Sequence, residues 1–376
     1  MTQATAVIPP LRLAVAGGGT GGHVYPALAV VRAWRRLRGQ DTEVLYLGIE
    51  GGIEKGLVEK EGVSFLGIQA GPLRGKGALM IARSAGRLAW GLGQAWRALA
   101  AFRPHVLLAT GGYASVPVAL AARLRRVPLV LYLPDIEPGW AIRFMAPLAF
   151  RIAATSSASR AYLPAGKVIE TGYPVREEIW ETKRAEARRR LGLSEGWPTL
   201  LVLGGSRGSR SINQAISDGL ETLLQTCQVL HICGEDDKGW LRERASLLDS
   251  NLASRYSLYP YLHGEFPSAL AAADLAISRS GASVMGEYPA AGLPSILVPY
   301  PYAGSHQEKN AYYLAQAGAA LIMRNGQLAA MLSKVKELIQ DGESLARMSR
   351  EARALSRPQA AQDIALLAAE AADSRG

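Results

Sequence analysis

The stretch Leu13–His23 constrains the fold more than any other part of the sequence. Four small apolar residues are followed by five glycines and a threonine, and Val24–Val31 then has the composition of a helix. This order predicts a buried parallel strand, a tight turn and a helix. Free backbone N–H groups and the helix dipole point at such a turn, and glycine allows a ligand to approach the backbone closely. The stretch therefore predicts an anion-binding turn.

The glycine spacing of this turn fits two better-known patterns imperfectly. It matches the dinucleotide fingerprint, with Asp41 or Glu43 at the distance of a ribose contact. It also has P-loop spacing, but His23 stands where the phosphate-binding lysine is required, so a P-loop NTPase is excluded. An imidazole takes up a proton near neutral pH, which makes His23 either a general base or a helix-capping residue. The stretch alone leaves both open.

Length and composition indicate a globular protein of two or three domains. The chain has 376 residues, of which 49% are hydrophobic and 20% charged. The two cysteines, Cys227 and Cys233, favour a reducing compartment and argue against a disulfide framework or a zinc site. We expect neither a signal peptide nor a membrane-spanning segment, because no run of 18 apolar residues occurs. A net charge of +10 leaves anionic lipid, phosphorylated substrates and nucleic acid as partner classes.

Apolar runs separated by helix-length segments predict doubly wound parallel sheets. The first series of runs is Leu11–Ala16, Val44–Leu47, Val106–Ala109, Leu129–Tyr132 and Ile152–Ala154. After a charged helix predicted over Arg176–Leu193, the second series is Thr199–Leu203, Val229–Cys233, Ser257–Tyr259, Leu275–Ile277 and Ser295–Val298. The glycine turn at 204–208 repeats the logic of the first one, which favours two α/β halves over one large sheet. We predict domains at 1–177 and 178–350, and a helix within 351–376 that packs back on the first domain.

Residues 73–103 mix apolar side chains with arginines in an amphipathic segment. A second basic cluster follows at Arg123, Arg125 and Arg126. The pattern suits a surface resting on anionic lipid headgroups, and the alternative is a helix that covers the sheet with a solvated basic face. Nucleic acid is disfavoured, because stacking aromatics are not interleaved with the positive charge and no nucleic-acid motif is found.

Further polar groups follow predicted strands. Tyr113 and Ser115 belong to a glycine turn at the same sheet end as His23. Ser206 lies in the second glycine turn, whose N–H groups and arginines suit a diphosphate. Glu287 follows the turn that begins at Arg279, where a carboxylate can accept hydrogen bonds from ribose hydroxyls.

A third polar group lies further along the chain, where His306, Gln307 and Asn310 share one face of a predicted helix start and suit the hydroxyls of a second sugar. Together these motifs predict a site for a nucleotide diphosphate sugar. The sequence has no Asp-x-Asp motif, so backbone groups rather than an obligatory metal are expected to meet the diphosphate charge.

The combined motifs resemble the MurG family of UDP-N-acetylglucosamine transferases. The matching stretches are Gly18–His23 with Pro26, Leu73–Gly77, Gly111–Tyr113, Gly204–Ser206, Arg279–Ala282 with Glu287, Ala290–Pro294, and His306, Gln307 and Asn310. The resemblance implies an α/β protein of the GT-B fold, with two Rossmann-like doubly wound domains facing a deep cleft. It implies inverting transfer of GlcNAc from UDP-GlcNAc to the MurNAc 4-hydroxyl of an undecaprenyl-pyrophosphoryl-MurNAc-pentapeptide.

The resemblance also assigns roles to residues of this sequence. His23 matches the proposed base. The donor-binding residues it implies are Thr20, Gly21, Gly22, Arg176, Ser206, Arg207, Gly208, Ser280, Gly281, Ala282, Glu287, His306, Gln307 and Asn310. The acceptor-binding residues are Gly18, Gly19, Arg74, Tyr113 and Ser115. With Glu287 on the ribose, Asp41 and Glu43 lose that role.

The implied partners are UDP-GlcNAc, a polyprenyl-pyrophosphate acceptor, the anionic membrane surface and cell-wall synthesis proteins. No cofactor or metal site is expected, although a divalent cation can stimulate such enzymes. The expected location is peripheral, on the cytoplasmic face of the cell membrane.

The sequence departs from the family pattern where the acceptor is expected. Tyr132-Leu-Pro-Asp135 replaces the family's His-Glu-Gln-Asn, Tyr173 replaces an asparagine, and Arg207 replaces a glutamine. Asp135 is thus either a hydrogen-bond partner in place of the asparagine or a base alongside His23. The alternatives are a related transferase acting on diacylglycerol or a secondary metabolite, a UDP-GlcNAc 2-epimerase, and a non-catalytic nucleotide-sugar sensor.

Overall fold

The computed structural model describes residues 11–19, 21–52, 54–70, 78–205, 208–262, 264–301 and 306–374, with side chains from residue 86 onward in the helix that begins at Ala78. The chain divides into two compact units. Unit 1 comprises 1–134, 138–174 and 359–376, and unit 2 comprises 135–137 and 175–358.

Unit 1 is built on a seven-stranded parallel sheet in the order β3-β2-β1-β4-β5-β6-β7. Its strands are β1 (Leu13–Ala16), β2 (Val44–Ile49), β3 (Ser64–Ile68), β4 (Val106–Ala109), β5 (Leu129–Leu133), β6 (Arg151–Ala154) and β7 (Val168–Glu170). The central strands β1, β4 and β5 are buried along their whole length, because helices cover both faces of the sheet. The helices among these strands are α1 (Gly21–Arg38), α2 (Glu54–Lys60), α3 (Ala78–Phe102), α4 (Ser115–Leu124) and α5 (Trp140–Met145).

Unit 2 repeats this plan with a six-stranded parallel sheet in the order β10-β9-β8-β11-β12-β13. Its strands are β8 (Thr199–Leu203), β9 (Gln228–Ile232), β10 (Tyr256–Tyr259), β11 (Leu275–Ser278), β12 (Ser295–Leu297) and β13 (Ala320–Ile322). Its helices are α6 (Glu177–Glu181), α7 (Arg184–Arg190), α8 (Arg210–Asp218), α9 (Leu220–Leu224), α10 (Lys238–Ser246), α11 (Ser250–Ala253), α12 (Phe266–Ala272), α13 (Val284–Ala291), α14 (His306–Gln316), α15 (Leu328–Gln340) and α16 (Gly342–Ala354).

The last helix, α17 (Ala360–Asp373), returns to unit 1 and packs against α1 and strands β4 to β6. Ile364 and Ala368 on its inner face are fully buried. Two ion pairs flank this contact, from Arg38 to Asp373 at 2.8 Å and from Arg151 to Glu370 at 3.3 Å. Since both pairs are partly exposed, apolar burial supplies most of the stability of the contact.

The predicted fold class, two doubly wound parallel sheets, is confirmed. The strands that the sequence missed are β3, β7 and β13, and all three lie at sheet edges. Their burial is incomplete. Polar or glycine residues interrupt β3 and β7, which therefore lack the continuous apolar run that marks a central strand, whereas β13 lies within the apolar stretch 319–323. The single charged helix predicted over 176–193 is wrong. Thr182 and Lys183 adopt extended backbone angles there and separate α6 from α7.

The order of strands reverses between β1 and β4 in unit 1 and between β8 and β11 in unit 2. Loops that leave neighbouring parallel strands in opposite directions open a crevice beyond the carboxyl ends of those strands. The two predicted glycine turns follow β1 and β8, which places each of them at such a reversal.

We predict that α17 is required for the stability of unit 1. Replacing the buried Ile364 with alanine should lower the free energy of unfolding by about 2–5 kcal/mol, because the cavity left behind cannot fully collapse. Leu366, on the same helix and 45% exposed, is the matched control. Its replacement with alanine should cost less than about 1 kcal/mol. Urea denaturation followed by circular dichroism measures both, and equal losses would contradict the prediction.

Candidate active site

In unit 1, two glycine turns meet backbone to backbone beyond β1 and β4. A β-carbon at Gly112 would lie 2.6 Å from the carbonyl oxygen of Gly18. Gly111 and Gly112 also have positive φ angles of 103° and 82°, which other residues rarely adopt. Only glycine at these positions allows the turn after β4 to contact the turn after β1.

His23 lies in the first turn of α1 with its ring against Gly111. Its Nδ1 is 2.7 Å from the carbonyl oxygen of Thr110. A carbonyl oxygen can only accept, so Nδ1 carries the proton and donates it, and Nε2 of the neutral ring keeps its lone pair. The Thr110 hydroxyl donates in return to the His23 carbonyl at 3.0 Å. This arrangement fixes the ring with its basic nitrogen free to accept a proton.

The other predicted residues of unit 1 have different surroundings. Gly18, Gly19, Gly21 and Gly22 lie in or directly after the first turn, and Tyr113 is half-buried in the second. Ser115 is fully buried, with its hydroxyl 2.6 Å from the Gly111 carbonyl and 3.0 Å from that of Ala16, so it supports the turn. Thr20 and Arg74 lie outside the described residues.

Glu54 is a residue that the sequence analysis did not single out. It is fully buried behind the first turn, and its Oε1 accepts a hydrogen bond from Ile49 N at 2.6 Å. A β-carbon at Gly18 would lie 2.2 Å from that oxygen. The carboxylate therefore packs directly against Gly18 and limits movement of the turn toward the core of unit 1. No local pattern in the sequence distinguishes it from Glu59, the exposed acidic residue of the same helix.

In unit 2, the glycine turn between β8 and α8 is equally tight. A β-carbon at Gly204 would lie 2.2 Å from Ser209 N, and one at Gly208 would lie 2.1 Å from the Cys233 carbonyl oxygen. The turn thus directs its backbone toward the start of α8. Two predicted diphosphate residues of this turn, Ser206 and Arg207, lie outside the described part of the chain.

Arg279, only 9% exposed, connects three segments at this sheet edge. Its guanidinium donates to the hydroxyls of Ser209 and Ser211 at 3.0 and 2.8 Å, and to Asn325 Oδ1 at 2.8 Å. It also donates to the Val298 carbonyl at 3.1 Å. The sequence analysis placed Arg279 in a motif without giving it a role. The planar guanidinium, with its five N–H donors, holds the glycine turn at 204–208 in place, which the single ammonium group of a lysine could not do.

Glu287 stands in the first turn of α13, where it is 7% exposed. Its Oε1 is 3.4 Å from Nη2 of Arg176. Burial raises the pKa of Glu287, while the charge of Arg176 acts in the opposite direction. Arg176, which the resemblance assigns to the diphosphate, is thus positioned beside the carboxylate assigned to the ribose.

The predicted sugar-binding group is brought together around the start of α14. His306 Nδ1 donates to the Glu137 carbonyl at 2.9 Å, which leaves Nε2 as an acceptor. Gln307 Oε1 accepts from Tyr300 N at 2.9 Å, and its amide N–H groups donate to none of the described residues. The buried hydroxyl of Ser280 donates to the Gln307 carbonyl at 2.7 Å. Gly281 and Ala282 follow it in a half-buried turn.

Asn310 is fully buried beneath this group. Its Nδ2 donates to Asp135 Oδ1 at 2.8 Å and to the Ser280 carbonyl at 3.1 Å, and its Oδ1 accepts from Ile136 N at 3.1 Å. Both amide protons are therefore in use, and a sugar contact from them would require one of these bonds to break. Asp135 fills the role of a hydrogen-bond partner. Its second predicted role, as a base, stays a prediction.

Within the described ranges, no three His, Cys, Asp or Glu side chains are placed to hold a metal ion. Among the same residues, no helix has the length and apolar character needed to cross a bilayer.

Two parallel Rossmann-type sheets, each with a glycine turn at the reversal of its strand order, define the class of GT-B proteins that handle nucleotide sugars. Comparison with known proteins agrees. Residues 13–154 match the N-terminal domain of glycosyltransferase family 28, and residues 199–364 match its C-terminal domain.

A curated relative from Roseiflexus sp. (strain RS-1) is 42% identical over 96% of this chain and 95% of its own. It is named UDP-N-acetylglucosamine--N-acetylmuramyl-(pentapeptide) pyrophosphoryl-undecaprenol N-acetylglucosamine transferase. The chain belongs to this family, the MurG glycosyltransferases.

Solved structures share the fold at lower identity. The crystal structure of Acinetobacter baumannii MurG has a TM-score of 0.73 and 24% identity, covering 96% of this chain and all of its own. A UDP-GlcNAc 2-epimerase from Neisseria meningitidis, bound to UDP-GlcNAc, has a TM-score of 0.69 and 14% identity over 96% of this chain and all of its own. Since transferases and epimerases share the fold, the whole-length sequence identity decides the family.

Proposed function

We propose that this protein transfers GlcNAc from UDP-GlcNAc to the MurNAc 4-hydroxyl of undecaprenyl-pyrophosphoryl-MurNAc-pentapeptide, with inversion at the anomeric carbon. The observation that carries this proposal is the 42% identity to a transferase of that name, which extends over both units. The geometry of each unit supplies groups suited to one half of the reaction.

Unit 2 carries the groups for the donor. Glu287 accepts hydrogen bonds from the ribose hydroxyls, and the charge of Arg176 opposes the rise that burial causes in the pKa of its carboxyl group. The backbone N–H groups of the turn at 204–208 and the start of α8 meet the diphosphate. His306 and the amide N–H groups of Gln307 bind GlcNAc hydroxyls. Asn310 is buried beneath these side chains, and its amide group holds Asp135 and Ser280 in place.

Unit 1 carries the groups for the acceptor. The Nε2 atom of His23 takes the proton of the acceptor hydroxyl as its oxygen attacks the anomeric carbon from the face opposite the diphosphate. The bond between that carbon and the phosphate oxygen breaks, and UDP leaves with the electron pair. The Thr110 carbonyl accepts from Nδ1 and stabilises the imidazolium that forms. The turns at Gly18–Gly19 and Tyr113 border the acceptor.

The exposed side of α3 and α4 suits a peripheral membrane surface. Trp90 is 64% exposed and Leu124 is 63% exposed, and the exposed Arg87, Arg97 and Arg123 lie on the same two helices. Arg125 lies over the ring of Trp96, 4.9 Å from its centroid. Exposed Trp and Leu side chains among arginines favour the interface of an anionic bilayer, where the polyprenyl tail of the acceptor resides.

A turnover assay with UDP-GlcNAc and a short-chain analogue of the lipid acceptor tests the proposed reaction. We expect UDP release that depends on this analogue and formation of the disaccharide. Transfer to diacylglycerol instead would favour the related-transferase alternative. Release of UDP and free ManNAc without an acceptor would indicate a 2-epimerase, and an absence of any turnover would indicate a sensor.

We predict that His23→Asn lowers kcat by about 10²–10⁴-fold, the usual contribution of a general base. The asparagine amide can still donate to the Thr110 carbonyl, so only the basic nitrogen is lost. The dissociation constant of UDP should stay unchanged. His105→Asn is the matched control, because the new Oδ1 can accept from Arg12 N as Nδ1 does now. If His23→Asn kept its turnover while Asp135→Asn lost it, Asp135 would be the base.

We predict that Glu287→Gln raises the donor KM about tenfold with little change in kcat, since a charged hydrogen-bond acceptor is lost in ground and transition states alike. The raised pKa of Glu287 means that it takes up a proton at a higher pH than an exposed glutamate does. The wild-type KM should therefore rise on mild acidification. Steady-state kinetics across pH should show that this rise disappears in Glu287→Gln, and a rise of equal size in the variant would contradict the assignment.

We predict that Leu124→Asp weakens binding to vesicles of anionic phospholipid several-fold, because it places a charge on the surface proposed to meet the bilayer. Leu366→Asp, on α17, makes the same change at another exposed position of unit 1 and should leave binding unaltered. Co-sedimentation at low and high salt measures both effects. Equal behaviour of the two variants would exclude this surface.

A further inference from the structure

A cavity of about 440 Å³ lies in unit 2 at the amino ends of the strands, whereas the glycine turn lies at their carboxyl ends. Asp274 and Pro294, which line it, directly precede β11 and β12, so the cavity opens at the amino ends of those strands. Its remaining walls come from α6, the start of α7, α12, α16 and the C-terminal end of α13. A volume of this size falls within the range of small-molecule sites, about 300–1,000 Å³.

The cavity has an apolar wall. Ile179 and Trp180 of α6 line it together with Leu345 of α16 and the methyl groups of Ala290 and Ala291. Ile179 is buried, while Trp180 and Leu345 are half-buried. An aromatic ring and branched aliphatic side chains that stay partly in contact with water gain stability when an apolar group covers them.

The polar side of the cavity carries an excess of positive charge. Asp274 is its one carboxylate, and both of its oxygens are occupied. Oδ1 accepts from Arg184 at 2.6 Å, and Oδ2 accepts from Arg188 at 2.9 Å and from Thr199 N at 2.8 Å. Two guanidinium groups thus share one carboxylate.

Arg353 adds a further positive charge to this side. It lines the cavity and forms no ion pair with any carboxylate of the described residues. Its guanidinium lies over Gly292, where a β-carbon would be 2.4 Å from its Nε. Gly292 has a φ of 62°, so glycine is required there both for the backbone turn and for this approach. The exposed arginine is therefore held at the rim.

From this geometry we propose that the cavity is a binding site for a small amphiphilic anion, with its apolar body against Trp180 and Leu345 and its acidic group at Arg353. The site is separate from the groups assigned to the donor, which lie beyond the carboxyl ends of the same strands. It does not depend on the proposed transferase activity.

Anilinonaphthalene sulfonate, an aromatic anion whose fluorescence rises on binding, is a suitable probe of the full-length protein. We expect saturable binding at one site that weakens with added salt, because part of the attraction is electrostatic. Ala346→Trp, at the exposed rim, should fill the cavity and abolish this saturable component. Ala354→Trp, an equally exposed position on the same helix but outside the cavity lining, should leave it intact.

A second experiment tests the contribution of the positive charge of Arg353. Arg353→Met keeps an unbranched stem and removes the guanidinium, so the dissociation constant of the probe should rise about tenfold, the equivalent of 1.4 kcal/mol. Arg350→Met makes the same change at an exposed arginine of α16 that does not line the cavity, and should have no effect. Circular dichroism and thermal melting establish that each variant is folded. Probe binding that is the same in Ala346→Trp and Arg353→Met as in the two controls would overturn the proposal.

Discussion

The close approach of backbone to backbone at the carboxyl ends of the strands is the constraint on which the rest of this protein depends. Gly112 lies against the Gly18 carbonyl in unit 1, and Gly208 lies against the Cys233 carbonyl in unit 2. A single β-carbon at either position would separate the turns. His23 depends on the first contact, because its ring rests on Gly111 and its Nδ1 reaches the Thr110 carbonyl of the same turn. The position of the His23 ring thus depends on glycine at position 111.

Buried polar side chains then fix the turns in place. Arg279 joins the segments after β8, β11 and β12, and Asn310 joins the tripeptide 135–137 to the turn after β11. Such groups are costly to bury unless each of their donors finds an acceptor, so their satisfied networks specify one arrangement of the loops. Two residues that family resemblance assigns to substrate contact, Ser280 and Asn310, are buried in these networks, and Ser115 is buried against the Gly111 and Ala16 carbonyls of unit 1. Their side chains support the site from beneath.

The two edges of the unit 2 sheet differ in chemistry. The carboxyl edge presents N–H groups, Arg176 and Glu287, which suits the diphosphate and ribose of a nucleotide. The amino edge presents a partly wet apolar wall with an unbalanced positive charge. A parallel sheet produces this difference, because loops at its carboxyl edge converge at the reversal of strand order while those at its amino edge connect helices that pack side by side.

The sequence by itself determined the class of fold, the central strands and the glycine turns, since these depend on local composition and on the period of apolar residues. It also predicts site roles for His23, Glu287 and the group at 306–310, because these residues follow predicted strands whose carboxyl ends meet. A last helix that packs back on the first domain was already a prediction from the sequence, whereas the edge strands β3, β7 and β13 and the break between α6 and α7 were decided by tertiary contacts. The same holds for the tautomer of His23, the burial of Asn310 and the roles of Glu54 and Arg279. Each of these depends on which atoms lie within hydrogen-bond distance across segments far apart in the chain, and no local pattern of residues encodes that distance.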